Sequence, residues 1–514
     1  MSDKPTRETT VLAEIWQDVL QVDQVDPDDD FYALGGDSLQ AIRIVGAAKD
    51  RGLPLTLLQL FRSPTPRGAG AALAGALADR PPQGLGPFDL LAAGNLHLVP
   101  ADVEAAYPAT RLQLGMIYES LASEGALYVD TVSRTVNLPL DGPTLATALD
   151  RMAARHPVLR TRFDLATFGE PVQLVQRAVR LPLTVNATEL AARHDQVMAA
   201  LAEPYDPETA PLMRVHAAIT SAESFRLSYS FHHAVIDGWS ESIFLRELVT
   251  TYADLLRGGH TVLGTPAPFA EFVRLERAAQ ADEGSRQHFE TALRGLPTRT
   301  RGSRGTLRKI ADAVPTDDAA GLTCRGAEWG VPMKSLVLTA CHAAAAAVWD
   351  EPEPVVGLAV SGRPELAGAD LTMGLFLNHL PVRFEASGAS WRSAALRALR
   401  AETELLPHRR FPYAEIRTLF GGDLFEVSLN YMRFHARDGL LDAGLIAADE
   451  DMRDPTDLPV RVEVFDDPRG SGLSLQVTAD VTQYGEDLPT RLVRHLRTAI
   501  HRIVTEPDRE ASTA

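Results

Sequence analysis

RLSYSFHHAVIDGWS, residues 226–240, starts as an alternating run and ends in a turn. Leu227, Tyr229 and Phe231 recur at every second position, the period of a β-strand with one apolar face. Adjacent strand residues point to opposite faces, so only one of His232 and His233 can face a given cleft and the other serves the structure. Asp237 follows beside Gly238, where pairing with an arginine would fix the loop. Taken alone, two neighbouring histidines also suit two ordinary core or surface side chains, so the surrounding sequence has to decide.

That surrounding sequence is long and globular. At roughly 100–200 residues per domain, 514 residues make three or four folding units, and 45% hydrophobic with 23% charged residues can build large cores. Fifty Lys+Arg against 68 Asp+Glu leave a net charge of -18, which repels phosphate backbones and anionic membrane surfaces; nucleic acid and membrane are excluded as partners on that ground. Two cysteines, Cys324 and Cys341, form neither a disulfide framework nor a CxxC metal spacing, which points to a reducing compartment and no structural metal. MSDKPTRETT at the start lacks the basic and apolar regions of a secretory signal, and Leu336 to Trp349 is too short to span a bilayer; the expected location is the cytoplasm.

Along the chain, Leu12, Ile15, Trp16, Val19 and Leu20 make one helix face. An acidic turn at 26–30, a Gly35-Gly36 break and a new helix from Ser38 with Leu39 and Ile42 facing inward follow, then short apolar runs at 55–61 and 69–77. This reads as an all-α four-helix bundle over 8–80. Pro and Gly punctuate a linker at 81–98. Beyond it, strand-like runs at 225–231 and 355–360 interleave with helical patterns at 145–154 and 391–405, an α/β layout. Some 415 residues exceed one core, so two lobes are expected, 99–268 and 269–510, divided near TPAPF. Cys341-His342 falls in an alanine-rich helix and reads as core, since no charged activator adjoins it. Asn430 and Tyr431 are expected on a strand beside the cleft.

DDDFYALGGDSLQAIRIV, residues 28–45, resembles a peptidyl carrier protein. The resemblance implies that Ser38 carries 4'-phosphopantetheine, added by a separate phosphopantetheinyl transferase. A phosphate there would lie near the positive end of the helix dipole.

Residues 232–238 fit HHxxxDG, and in order along the chain come YPATRLQLGM (107–116), RHPVLRTRF (155–163), PFAEFVRL (268–275), GLFLNHLPVRF (374–384) and HRRFPYAEI (408–416). Together they resemble the condensation domain of nonribosomal peptide synthetases, with a two-lobed fold similar to chloramphenicol acetyltransferase and the active site in a tunnel between the lobes. The resemblance implies an acyltransferase of an antibiotic or siderophore assembly line, in which an acceptor amine attacks a carrier-bound thioester. His233 is assigned the catalytic role, as base or positioner; an imidazole of ordinary pKa near 6.5 suits a proton from an amine. His232 and Asp237 are assigned structural roles, Asp237 pairing with Arg160 in preference to Arg155, and the Gly238 amide is assigned to the developing oxyanion. An upstream adenylation or synthetase module, a downstream carrier or free amine, and a monomeric state complete the implied picture.

Two alternatives stand beside it. A related epimerisation domain shares the histidine motif and often follows a carrier with aspartate before its serine, as Asp37 stands here; against it, EGSR at 283–286 poorly matches that family's EGHGRE segment. The other is a docking platform without catalysis, opposed by the intact His233 and Asp237.

Overall fold

Four helices form the N-terminal unit of the computed structural model, which describes residues 6–73, 84–125, 127–186, 193–299, 305–433, 438–466 and 472–512. Thr6 caps α1 (Arg7–Leu20) by accepting from Thr9 N, and Gln21 ends it in the left-handed conformation. Its apolar face, with Trp16 fully buried, packs on Phe31 at a ring-centroid distance of 5.5 Å. At the start of α2 (Ser38–Asp50) the cap is Asp37, not Ser38: Asp37 accepts from Leu39 N and Gln40 N, and Gln40 completes a capping box. Ser38 is thereby the first helical residue. α3 (Leu57–Arg62) and α4 (Pro66–Ala72) close the bundle; the expected continuation of the last helix to 77 lies outside the described residues.

Residues 84–98 lie on the next unit rather than spanning free space. Ala106 N donates to Pro87 O at 2.9 Å, Asn95 Nδ2 to Phe168 O at 2.7 Å, and Phe88, Leu91 and Leu98 join an apolar cluster with Val103, Val172 and Leu174. The Pro/Gly punctuation of the expected linker at 81–98 conceals these apolar anchors, and the expected segment 81–83 lies outside the described residues.

The first lobe contains β1 (Val103–Pro108), α5 (Arg111–Ala122), β2 (Val129–Val136), α6 (Gly142–Arg155), β3 (Thr161–Asp164), β4 (Val172–Gln176), β5 (Leu183–Asn186), α7 (His194–Leu201), β6 (Met213–Ser221), β7 (Ser224–His232) and α8 (Gly238–Leu256). β7, which contains the alternating run through Phe231, pairs antiparallel with both β2 and β6. α9 (Phe269–Gln280) follows. The second lobe is a six-stranded sheet in the order β10-β9-β11-β13-β14-β8, from β8 (Leu307–Ala313), β9 (Val356–Ser361), β10 (Leu377–Val382), β11 (Val427–Met432), β13 (Val460–Asp466) and β14 (Leu473–Asp480). Helices Met333–Trp349, Trp391–Leu405 and Leu488–Thr505 cover it.

The division of the chain at 268 and 269 is not clean. β12 (Asp451–Arg453) pairs with β2 of the first lobe, and Met373, Leu375, Leu440 and Ile446 belong to the first lobe's core. The chain therefore crosses back after β11, extending the first sheet to the order β12-β2-β7-β6-β5. Among the described residues no single helix is long and apolar enough to cross a membrane.

The carrier unit rests on the second lobe. Arg43 pairs with Asp370 at 3.3 Å, Lys49 Nζ reaches Glu365 O at 3.5 Å, and α2 meets the loop before the short 3-10 helix Ala369–Leu371 so closely that a Cβ on Gly46 would stand 2.9 Å from the Leu366 carbonyl carbon. Gly46→Ala should push α2 off this loop without entering the carrier's own core. Small-angle scattering should report a larger radius of gyration with an unchanged circular dichroism spectrum; an unchanged radius would contradict this docking.

Candidate active site

Pairing between β2 and β7 builds the centre of the site. Register places Asp130 opposite Phe231 and Val129 opposite His232. His232, 1% exposed, accepts from Ala234 N through Nδ1 at 3.1 Å; burial, then the neighbouring His233, pushes its pKa down to about 4. It is therefore buried and neutral. His233, just past the strand end, lines a cavity of about 660 Å³ between the lobes. Its backbone N–H donates to Tyr128 O at 2.8 Å, and the Tyr128 ring stacks on the imidazole at 6.4 Å.

His233 Nδ1 lies 2.7 Å from Asp130 Oδ2, and Asp130 is 1% exposed. Burial raises the Asp130 pKa against the pull of His233; once ionised, that carboxyl only accepts, so a neutral His233 carries its proton on Nδ1 and its lone pair on Nε2. Burial pulls the His233 pKa down, but the charge and hydrogen bond of Asp130, with smaller contributions from Asp237 and Asp454, raise it above the ordinary imidazole value. Nothing in the local sequence around Asp130 marks it; strand register alone brings it to His233. Tyr128 is also strained, with φ of 62° in a bulky residue, a conformation that costs about 1–3 kcal/mol and persists only when the surroundings hold it. Pro455 O accepts its N–H at 2.7 Å and Asp457 accepts its hydroxyl, both from the segment that crosses back.

Asp237 is 2% exposed and caps α8 by accepting from Ser240 N at 2.8 Å. Arg160 is not its partner. Arg160 instead pairs with Glu104 at 2.8 Å and donates to the carbonyls of Ala153 and Gln176. Arg155 binds Glu247, at 2.8 Å. The arginine that meets Asp237 is Arg363, from VSGRPELAG in the other half of the chain: Nη2 reaches Oδ1 at 3.1 Å and Oδ2 at 3.3 Å. The family resemblance points to an arginine of RHPVLRTRF, whereas the fold turns the Arg160 side chain toward β1 and β4. Arg363 is 1% exposed, stacks on the Phe376 ring at 4.0 Å, and donates to Ala369 O and Thr372 O. Phe376 N also donates to Asp237 Oδ2, at 3.2 Å.

Gly238 is the first residue of α8 and lines the cavity beside His233. Asn430 and Tyr431 of β11 line it from the second lobe, as does Arg461, which binds Asp454 at 2.6 Å and approaches Glu463 at 3.9 Å. Cys341 and His342 lie in the core: burial pushes the thiol up to about 12 and the imidazole down to about 4, and His342 stacks on Phe384. The carrier contributes to the same cavity, whose lining includes Gly35, Gly36, Asp37, Leu39 and Ile42. Gly35 takes φ of 86°, and a Cβ on Gly36 would stand 2.3 Å from the Phe31 ring, so both glycines are required by the turn that leads into Ser38.

This geometry meets its relatives in comparison. The family described as condensation domain matches residues 103–514, and that described as phosphopantetheine attachment site matches residues 10–73. The chain belongs to the condensation-domain family, its condensation domain preceded by a phosphopantetheine attachment domain. Among curated proteins it is similar to AMB antimetabolite synthetase AmbE of Pseudomonas aeruginosa, 34% identical over 85% of this chain and 22% of that one. It is also similar to malpinin synthetase of Mortierella alpina, 24% identical over 92% of this chain and 7% of that one. The chain thus spans less than a quarter of the length of either. In fold it resembles the first condensation domain of the calcium-dependent antibiotic synthetase, with a TM-score of 0.66, 20% identity, and coverage of 80% of this chain and 98% of that one. The X-domain from teicoplanin biosynthesis is similar too, with a TM-score of 0.65, 20% identity, and coverage of 79% and 96%.

Two outcomes check this site. In a double-mutant cycle, Asp237→Asn and Arg363→Met should be coupled by about 1–3 kcal/mol in folding stability, whereas Asp237→Asn and Arg160→Met should add within about 0.5 kcal/mol. Coupling to Arg160 instead would restore that arginine as the partner. Asp130→Asn removes the charge that raises the His233 pKa, so the rising limb of the acyl-transfer pH profile should move to lower pH. The plateau rate should also fall, on the order of 10²-fold, because an amide can hold the wrong tautomer. An unmoved pH profile would reduce Asp130 to packing.

Proposed function

We propose that this chain takes its own carrier as donor and that His233 serves the attack of an acceptor amine on the donor's thioester. The observation that carries the reading is the shared cavity, lined both by the carrier's Gly35-Gly36-Asp37 turn and by His233, Asp237 and Gly238. 4'-Phosphopantetheine on Ser38, attached by a phosphopantetheinyl transferase, supplies the thiol that bears the acyl group. The surroundings of Ser38 fit that attachment: the residue opens α2 directly after a glycine turn facing the cavity.

The chain's own residues then have modest work. His233 Nε2 accepts a proton from the amine as the bond forms, and Asp130 stabilises the imidazolium on the Nδ1 side. A base with a raised pKa is neutral in a smaller fraction at neutral pH, but it accepts a proton more readily once neutral. Gly238 N–H, one of the first α8 amides that lack an intrahelical acceptor, stabilises negative charge on the carbonyl oxygen at the positive end of the helix dipole. Asp237 and Arg363 position the loop and touch no reactant. Thiolate is a good leaving group, so alignment supplies much of the rate.

Epimerisation would need a second acid or base across the cavity from His233. Glu463 also lines the cavity, but Arg461 at 3.9 Å and the Gln476 amide at 2.7 Å engage it, which favours condensation. An upstream adenylation or synthetase module would supply the acyl group, and a downstream carrier or free amine would enter from the side away from α2. The chain would act as a monomer in the cytoplasm.

Intact-mass measurement and product analysis test this together. Ser38→Ala should abolish phosphopantetheine loading, while His233→Ala should load normally and lose acyl transfer by roughly 10²–10⁴-fold. Loading that survives in the first variant, or full transfer in the second, would overturn the corresponding assignment.

A further inference from the structure

The turn that leads into Ser38 meets a basic side chain of the second lobe. Arg433, immediately after β11, donates from Nη1 to Gly35 O at 3.2 Å, and its Nη2 stands 3.9 Å from where a Cβ on Gly35 would be. Its Nε is buried and makes no hydrogen bond among the described residues; Asp466, at 3.6 Å, already accepts the Tyr431 hydroxyl at 2.6 Å. The guanidinium has five N–H groups in a planar fork, a shape that matches two oxygens of a phosphate.

The first amides of α2 are committed. Asp37 Oδ1 takes the first free amides of α2, Leu39 N at 2.9 Å and Gln40 N at 2.8 Å, and Gln40 Oε1 accepts Asp37 N at 3.0 Å. The helix N-terminus expected from the sequence to favour a phosphate is therefore capped by a carboxylate of its own. A phosphodiester on Ser38 adds negative charge beside Asp37, which a cation outside the carrier can compensate.

We propose that Arg433 binds the phosphodiester of phosphopantetheine on Ser38 when the carrier is docked, which holds the root of the arm at the cavity mouth. This rests on the reading of Ser38 as the attachment residue and adds a docking consequence. The bound contact exists only with the arm attached, so the loaded carrier docks more firmly than the unloaded one.

The test uses the full chain, loaded by a broad-specificity phosphopantetheinyl transferase and checked by intact mass. ³¹P NMR of the loaded wild type should place the phosphodiester resonance away from that of free phosphopantetheine. Arg433→Gln should move it toward the free position and weaken carrier docking, followed by energy transfer between dyes on the two units, by about tenfold. Arg433→Lys, which keeps the charge without the fork, should restore part of both. A fully loaded Arg433→Gln chain with the wild-type resonance and docking overturns the proposal alone. A wild-type chain that gains no mass at Ser38 overturns the attachment reading, and this proposal with it.

Discussion

One buried ion pair holds the two halves of the site together. Asp237 and Arg363 are 2% and 1% exposed and come from positions 126 residues apart, one at the start of α8 and the other in the loop after β9. Two charges taken out of water lose hydration worth several kcal/mol each, and their attraction makes this good only with full hydrogen bonding. Here the bonding is dense. Asp237 accepts from Arg363, Ser240 and Phe376, while Arg363 also holds Ala369 O, Thr372 O and the Ser240 hydroxyl. Loss of either partner would strand a buried charge at about 3–5 kcal/mol. The pair is consequently a clamp between the lobes, and it fixes the position of the histidine loop that precedes it.

The same loop after β9 faces the carrier. Trp239, beside Gly238, donates to Asp370 O at 2.9 Å, and Asp370 Oδ2 meets Arg43 of α2. Glu365 binds Arg409 and Arg410, and its carbonyl faces Lys49. The residues that order the active-site turn and those that seat the carrier therefore share one short segment. Around His233 a second set converges: β2 contributes Asp130, the strained Tyr128 orients the imidazole, and the segment crossing back after β11 supports Tyr128 through Pro455 and Asp457. Both lobes have to be assembled before His233 has its environment.

Local pattern made much of this legible. The alternation through Phe231 foretells β7, the glycine pair foretells the turn before α2, and of the two histidines His232 ends the strand buried while His233, just past it, lines the cavity. What eluded the sequence was contact between distant segments. The family resemblance suggests Arg160 of RHPVLRTRF, yet its guanidinium is satisfied by Glu104 and two carbonyls. Asp130 sits in an unremarkable strand, and only its register against Phe231 gives it a role. Three-residue β12 is too short to carry a period, so the crossing back of the chain left no trace in hydrophobic pattern. Residues 84–98 look like a spacer because their apolar anchors are scattered among Pro and Gly.

The central claim is bond formation at His233 with the acyl group delivered by the chain's own carrier. Its most direct test is mass spectrometry of the full chain loaded through Ser38 with an aminoacyl or dipeptidyl pantetheine and incubated in heavy water with an amine acceptor. The account predicts transfer of the acyl group to the acceptor without deuterium at the α-carbon of the tethered residue. Deuterium at that carbon, with no transfer, would contradict it and make the site an epimerase.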